Sequence, residues 1–587
     1  MRTTPRYAAL AVAAAVLGLG FWTRSRLASR RPAPPASAGG PAFRLVESSS
    51  PSGLVYTPGR FVPHPSLANL APRLGSLGVS VAVVDFDGDG WQDVFVSDPA
   101  RGGRNRLFRN RRDGTFVDAA AAAGLATAAG EAGAMRALFF DSSNSGRQDL
   151  LLTTSSCAVF FANQGGGVFR DATAASGLRH CGVSYASNVI DFDGDGLLDV
   201  VIADYFKPVD LARPADYEFM PDSAVAARNG GPIVVYRNLG DGVFRPVEGN
   251  LGIVSRGWTL AVGAYDLRGT GRTDLYLATD FNSDQVYFNE GGGRFRNASR
   301  LVEDKYSRNG MSAEIADVDN DGRAAVYVTN IHEPPYALGT NMLWKWMPGG
   351  LFADAAGDLG IAECGWSWGA KFLDLDNDGL QDLVVTNGYI SGDPKRDYWF
   401  ESGLMGSAAG PVMRDARNWP PMRNASLAGR QKKCVFRNEG WRFADVTDKT
   451  GWADDRSDGR GLAAIDHLNN GSLSLVEANE GQPLRFYRND GGGSWIGFKL
   501  VGRRSNRDAF GARVSVRLKD KTLSREVQPA NGFMAQSDGR LHFGLGRDPE
   551  ILEAVVRWPG GTTQRLEGLA PGRYHLVEEP AGPSPAR

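Results

Sequence analysis

Histidine and cysteine are scarce, six and four among 587 residues, and no cluster of them has the spacing of a zinc set. A nucleophile elbow and a phosphate-binding glycine loop are missing as well, so no named reaction has its usual signature. An excess of one charge is lacking too: 65 basic residues face 66 acidic ones, for a net charge of -1. No long basic run interrupts the folded part, which argues against nucleic acid as a partner. Long hydrophobic runs are confined to one place. "YAALAVAAAVLGLGFW", residues 7–22, follows Arg2 and Arg6 and suits the apolar part of a signal peptide better than a spanning helix of about 20 residues. The small-residue pattern Ala36-Ser37-Ala38 lies well past that run. The sequence therefore predicts an exported chain in which 1–22 is a signal peptide or membrane anchor and 23–42 a Pro/Ala/Arg linker. Arg24, Arg26, Arg30 and Arg31 pull the other way, because positive residues favour the cytoplasmic side.

Glycine is plentiful, 74 residues clustered in short loops between apolar runs, the punctuation of many tight turns. The turns repeat. Aligned on their first aspartate they read "DFDGDGWQD" at 85, "DSSNSGRQD" at 141, "DFDGDGLLD" at 191, "DLRGTGRTD" at 266, "DVDNDGRAA" at 317, "DLDNDGLQD" at 374 and "DHLNNGSLS" at 466, each with glycine at the sixth place. Short apolar runs flank them, so each is the turn of a hairpin. A third strand follows, such as "VYRN" at 235 or "VFRN" at 435, and then a phenylalanine-led one, such as "FVDAAAAAGL" at 116 or "FADVTDKTGW" at 443.

Seven four-stranded units at this period predict an all-β chain, a seven-bladed β-propeller over 43–490. The last unit lacks its own phenylalanine strand, whereas "FRLVE" at 43 has no unit before it. Pairing the two is expected to close the propeller by an N-terminal strand and remove its open edges. A linear array would leave both pieces unexplained.

Carboxylates at places 1, 3, 5 and 9, a backbone carbonyl at place 7 and glycine at place 6 make an oxygen-only cage of the kind calcium prefers. Three loops are complete: Asp85, Asp87, Asp89, Trp91 and Asp93; Asp191, Asp193, Asp195, Leu197 and Asp199; Asp374, Asp376, Asp378, Leu380 and Asp382. A fourth keeps Asp317, Asp319, Asp321 and Arg323 but has Ala325 at place 9, so weaker binding is expected there. In another, Arg268 at place 3 is positioned to neutralise Asp266 and Asp274 without metal.

The seven loops resemble the FG-GAP repeats of integrin-type propellers. After them come "NRDAFGARVSVRL" (506–518), "NGFMAQSDGRLHFGLG" (531–546) and "VVRWPGGTTQRLEG" (555–568), alternating segments that predict a small β-domain over 491–580, with a tail at 581–587. In this order they resemble an ASPIC/UnbV domain, and the pairing with the repeats is similar to the cartilage acidic protein family. That resemblance implies an extracellular or exported calcium-binding protein and supplies no catalytic residues. The tripeptide Arg-Gly-Asp is absent, which leaves integrin binding without direct support.

The aspartate loops lie at one end of each unit, so the long insertions 205–232, 331–340 and 389–433 emerge at the other. Long loops of this kind usually carry function. Cys157 with Cys181, and Cys364 with Cys434, are placed to meet on that insertion face as disulfides, with free thiols as the alternative. Three residues before the first aspartate most units carry a small or apolar residue, but three carry Asn188, Glu314 and Lys371, the last two as an expected ion pair. Near them run Tyr185, Trp258, Trp366 and Trp368, with His180 and His332 on adjoining loops. Asp204 and Asn387 are among six polar residues ending strand two, explained by turn hydrogen bonds or by a second cation or polyol ligand.

Together these features predict an exported calcium-binding recognition or adhesion module. Its binding residues would be Asn188, Tyr185, Trp258, Trp366, Trp368, Asp204 and Asn387, and its partner a protein, a glycan or a small molecule. The alternative is a metal-dependent enzyme, a cyclase or transferase of secondary metabolism, with Glu314, Lys371, His180 and His332 as catalytic candidates. A purely structural envelope protein is the third reading.

Overall fold

The computed structural model describes residues 42–127, 132–302, 309–347, 349–408, 410–547 and 549–581. The apolar run 7–22, the linker 23–42 except its last residue, and the tail beyond 581 lie outside the described residues.

Each aspartate loop joins two strands, and the strand after it is apolar on both faces because neighbouring sheets cover both. The first sheet runs Val81–Val84, Asp93–Val96, Arg106–Asn110 and Phe116–Asp118. The second starts at Ala134–Phe140, the third at Ser184–Ile190, the fourth at Trp258–Tyr265, the fifth at Ala313–Ala316, the sixth at Ser367–Leu373 and the seventh at Gly459–Ile465, each with the same antiparallel order. Strand two is buried at every residue in the second sheet (Asp149–Thr154) and in the sixth (Asp382–Asn387).

The expectation of an all-β, seven-bladed propeller closed by an N-terminal strand is corrected by the hydrogen bonding. Among the described residues no sheet closes on itself; the chain forms separate four-stranded antiparallel sheets, and Leu45–Glu47 is the fourth strand of one of them, paired with Arg485–Asn489. The outer strands have three or four residues, and most run into a short helical turn that ends the pairing. Nor is the chain strictly all-β: Trp399–Ser407 is a helix of nine residues inside the third insertion. The C-terminal part reaches into the repeats, because Ala535–Gln536 pairs in parallel with Val81–Ala82 and makes the first sheet five-stranded.

Side-by-side packing holds the sheets. Ala137, Phe139 and Leu150 of the second meet Phe95 and Leu107 of the first, and Ala463, Ile465 and Val476 of the seventh share a buried cluster with Val81, Val83 and Val94 of the first. The glycine after the phenylalanine strand explains itself here: Gly124 has φ of 78°, and a Cβ on it would stand 2.8 Å from the carbonyl oxygen of Phe169 in the next sheet. A side chain would push the two sheets apart.

Two further sheets lie in the C-terminal part, Ser494–Val501 between Leu541–Gly546 and Tyr574–Glu578, and Arg513–Leu518 between Thr522–Glu526 and Ile551–Arg557. They sit on the aspartate-loop ends: Lys521 Nζ donates to Asp378 O at 2.7 Å, Arg513 to Gly322 O at 2.6 Å, and Arg557 pairs with Asp266 at 2.7 Å.

Candidate functional site

Place 1 of every loop has the same local task. Its carboxylate accepts the N–H of the place-6 glycine, as Asp85 does from Gly90 at 3.1 Å, Asp374 from Gly379 at 2.8 Å and Asp466 from Gly471 at 2.8 Å. The place-9 carboxylate ties the loop to its own sheet: Asp93 accepts from Phe86 N (3.3 Å) and Asn110 N (2.7 Å), and Asp382 from Leu375 N (3.1 Å) and Asn438 N (2.8 Å). Those bonds persist in the degenerate loops, where Asp149 makes the same pair.

The complete loops concentrate further charge. In each, the carboxylates at places 1, 3 and 9 bring one oxygen apiece within 4.8 Å of one another; Asp317, Asp319 and Asp321 do so in the fourth loop. Asp85 Oδ1, Asp319 Oδ1 and Asp376 Oδ1 are buried without a hydrogen-bond partner in the protein. Burial pushes Asp93, Asp199 and Asp374 up to about 8, with neighbouring carboxylates adding to it, and pushes Asp382 well above its usual range. An oxygen-only set with orphaned acceptors fits a hard divalent cation, whose charge reverses that crowding. In the complete loops place 5 stays outside the cluster: Asp89 meets Arg112 at 2.8 Å. A basic residue of the third strand also faces each of these loops, Arg109 on Asp87 (2.7 Å), Arg237 on Asp193 (2.7 Å), Arg437 on Asp376 (2.9 Å) and Lys345 on Asp319. The loop spacing alone gave no sign of these basic partners. Arg268 pairs with Asp274 at 3.0 Å in its carboxylate-poor loop.

The other sequence candidates separate into two places. Glu314 and Lys371 pair at 2.8 Å and line a polar cavity of about 130 Å³ with Arg525, Glu526 and Asp538 of the C-terminal part. Asn188 donates to Val262 O at 2.7 Å and to Asn531 Oδ1 at 3.1 Å, and so holds the C-terminal segment. His180 Nε2 lies 2.9 Å from Asp204 Oδ1, and Ser184 donates to the same oxygen, all three buried. His332 Nδ1 faces Gly339 O at 2.9 Å, and Asn387 donates to Cys364 O at 3.1 Å. Most of these polar contacts are structural, although Asn387 Oδ1 and Glu314 Oε2 have no partner in the protein. Both disulfides, Cys157–Cys181 and Cys364–Cys434, are formed.

Trp258, Trp366 and Trp368 line a second cavity, of about 290 Å³, on the insertion face, and Tyr185 packs on its wall residue Tyr205, ring centroids 5.6 Å apart. The two cavities share no lining residue. Insertions supply most of the aromatic wall: Tyr389 stacks on Trp366 at 4.3 Å, Tyr336 on Trp399 at 5.0 Å, and Trp419 and Phe206 complete it. The sequence reading missed Arg73, Leu74 and Leu77, from residues 54–79, which join the same wall. The signal was available: this link between the first phenylalanine strand and Val81 is far longer than the one from Asp118 to Ala134.

Repeated aspartate hairpins lie under a C-terminal β-module, and segments of both match known families: the chain carries FG-GAP-like repeats and a C-terminal ASPIC/UnbV segment. The FG-GAP-like repeat family matches residues 85–152 and 266–328, and the ASPIC and UnbV family matches 502–584. The chain is similar to mouse (Mus musculus) cartilage acidic protein 1, 22% identical over 398 residues, 67% of this chain and 54% of the relative, so it spans about half the length of that relative. Among solved structures, an Agrocybe aegerita lectin recognising non-reducing terminal N-acetylglucosamine overlays with TM-score 0.37 at 17% identity, covering 69% of this chain and 87% of the lectin. A BBS1N chain in complex with ARL6DN gives 0.36 at 10% identity, with 77% and 98% covered. At these TM-scores neither neighbour bears on ligand or partner.

Proposed function

We propose that the protein is an exported, calcium-loaded recognition module that takes its ligand into the aromatic cavity on the insertion face. The observation that carries the reading is the cavity itself, a concave, mostly apolar site walled by Trp258, Trp366 and Trp368 at the strand ends and by aromatic residues of the insertions, the form small-molecule sites usually take. Calcium is favoured over magnesium because crowded, irregular carboxylates suit its flexible coordination. Export rests on the N-terminal apolar run and on two disulfides; among the described residues no helix is long and apolar enough to cross a membrane. The enzyme reading gains no specific contact, since Glu314 and Lys371 line a different cavity from the tryptophans.

The test is retention of small molecules from an extracellular extract, with mass spectrometry of what wild type and Trp368→Ala release on denaturation. A species retained unchanged by wild type and lost by the variant is expected. A species altered in mass favours an enzyme, and no retained species overturns recognition through this face.

A further inference from the structure

The unpaired groups of the aromatic cavity narrow the chemistry of its ligand. Trp258 Nε1 donates to Asn229 Oδ1 at 3.3 Å and Trp419 Nε1 to Met413 O at 2.8 Å. Two neighbours are left without partners in the protein: Trp366 Nε1 and Trp368 Nε1, on side chains 8% and 2% exposed. Their rings lie nearly parallel, centroids 6.4 Å apart and planes 12° off. The third unpartnered buried atom on the lining side chains is Arg73 Nε. All three are N–H donors.

The acceptor side of the cavity is already committed. Asp280, its lining carboxylate, accepts from Asn309 Nδ2 at 2.7 Å, Phe281 N at 3.0 Å and Tyr205 Oη at 2.7 Å. Arg73 sits over the rings of Trp419 (4.9 Å) and Tyr398 (5.7 Å) and donates to Ser402 Oγ at 3.0 Å; its charge acts on Asp280 without a direct ion pair between them. Buried donors left unsatisfied are costly and rare in native proteins. A guanidinium placed over aromatic rings, with its Nε–H unpartnered, keeps a donor edge for a carboxylate.

Resting on the reading that this cavity is the recognition site, we infer that its ligand is a flat aromatic or conjugated carboxylate. The apolar body stacks among Trp258, Trp366 and Trp368, and the acceptor oxygens meet Arg73 and the two free indole N–H groups. A cationic ligand, the usual guest of aromatic cages, is disfavoured because the guanidinium already occupies that role on Trp419.

Three isosteric probes test it by titration calorimetry on the full chain: 2-naphthoate, 2-naphthalenemethanol and 2-naphthylmethylammonium. The carboxylate is expected to bind tightest. Arg73→Met is expected to weaken it by about tenfold or more, the worth of one charge-assisted pair, while changing the alcohol little. Trp366→Phe, which removes an N–H and keeps the ring, is expected to weaken the carboxylate more than the ammonium; an unchanged melting temperature in each variant certifies the fold. Tighter binding of the alcohol or the ammonium, or indifference of the carboxylate to Arg73→Met, overturns the anionic class while leaving recognition by this cavity standing. Binding of none of the three overturns both.

Discussion

His467 shows how far a single side chain here is governed by its surroundings. It occupies place 2 of the last loop, 3% exposed, stacked on Phe116 at 6.4 Å and edge-on to Phe486 at 5.0 Å, and burial pulls it down to about 4, helped by Arg488. The unfolded chain takes up the proton near 6.5 and the folded chain near 4. The stability that the neutral ring brings is therefore complete above pH 6.5 and is lost as pH falls towards 4. Replacing it with phenylalanine keeps an aromatic body in the same cluster and removes the titration. The expected outcome is that His467→Phe gains on wild type by about 2 kcal/mol between pH 7.5 and pH 5, read from denaturant unfolding at both pH values. A gap independent of pH contradicts the assignment.

At the scale of the loop, the aspartates divide into those that build the turn and those that gather charge. Asp382 belongs to both groups, since it accepts Leu375 N and Asn438 N, whereas Asp376 adds a carboxylate whose Oδ1 has no partner. In chelator, Asp382→Ala is expected to cost about 2–4 kcal/mol for two lost acceptors, and Asp376→Asn little. With calcium restored, Asp376→Asn is expected to lose most of the calcium-dependent rise in melting temperature. Equal effects of both changes in chelator would contradict this division. The distinction was half legible in the sequence. Spacing marks which loops hold four carboxylates, but not why Asp149 and Asp274 survive in loops that have lost the others; the answer is a hydrogen bond to the third strand, at 2.8 Å in both. The asparagine of the "RN" pairs was equally silent. Asn163 Nδ2 reaches Phe86 O of the preceding sheet at 3.1 Å, and Asn110 reaches His467 O at 2.8 Å. Repeats advertise periodicity within a unit; bonds between units join residues far apart in the chain and leave no local pattern.

On the scale of the whole molecule, one C-terminal segment touches all seven sheets. Met534 O accepts from Val81 N at 3.1 Å, Arg136 donates to Ala530 O at 2.7 Å and Ala535 O at 3.0 Å, and Asn531 joins Asn188 (3.1 Å) to Ala264 N (2.8 Å). Gly532 N donates to Ala313 O at 2.9 Å, Phe533 packs on Trp368 at 5.2 Å, and Ser537 Oγ accepts from Ala464 N at 3.0 Å. The sequence marked "NGFMAQSDG" as part of a separate β-domain because alternation reports local strands and says nothing of what they are inserted into. Two of these anchors, Arg136 and Asn188, are fully buried, so removing the segment leaves a buried cation without its acceptors, a change that costs several kcal/mol. Phe533 also belongs to the buried cluster that backs the aromatic cavity. Phe533→Ala in the full chain is therefore expected to cost about 3–5 kcal/mol and to loosen probe binding at Trp368, although no insertion residue has changed. Ending the chain at residue 490 is expected to remove cooperative melting and open the sheets to limited proteolysis. If the shortened chain instead melts cooperatively within a few degrees of the full one, the segment is an accessory, and the seven sheets hold one another without it.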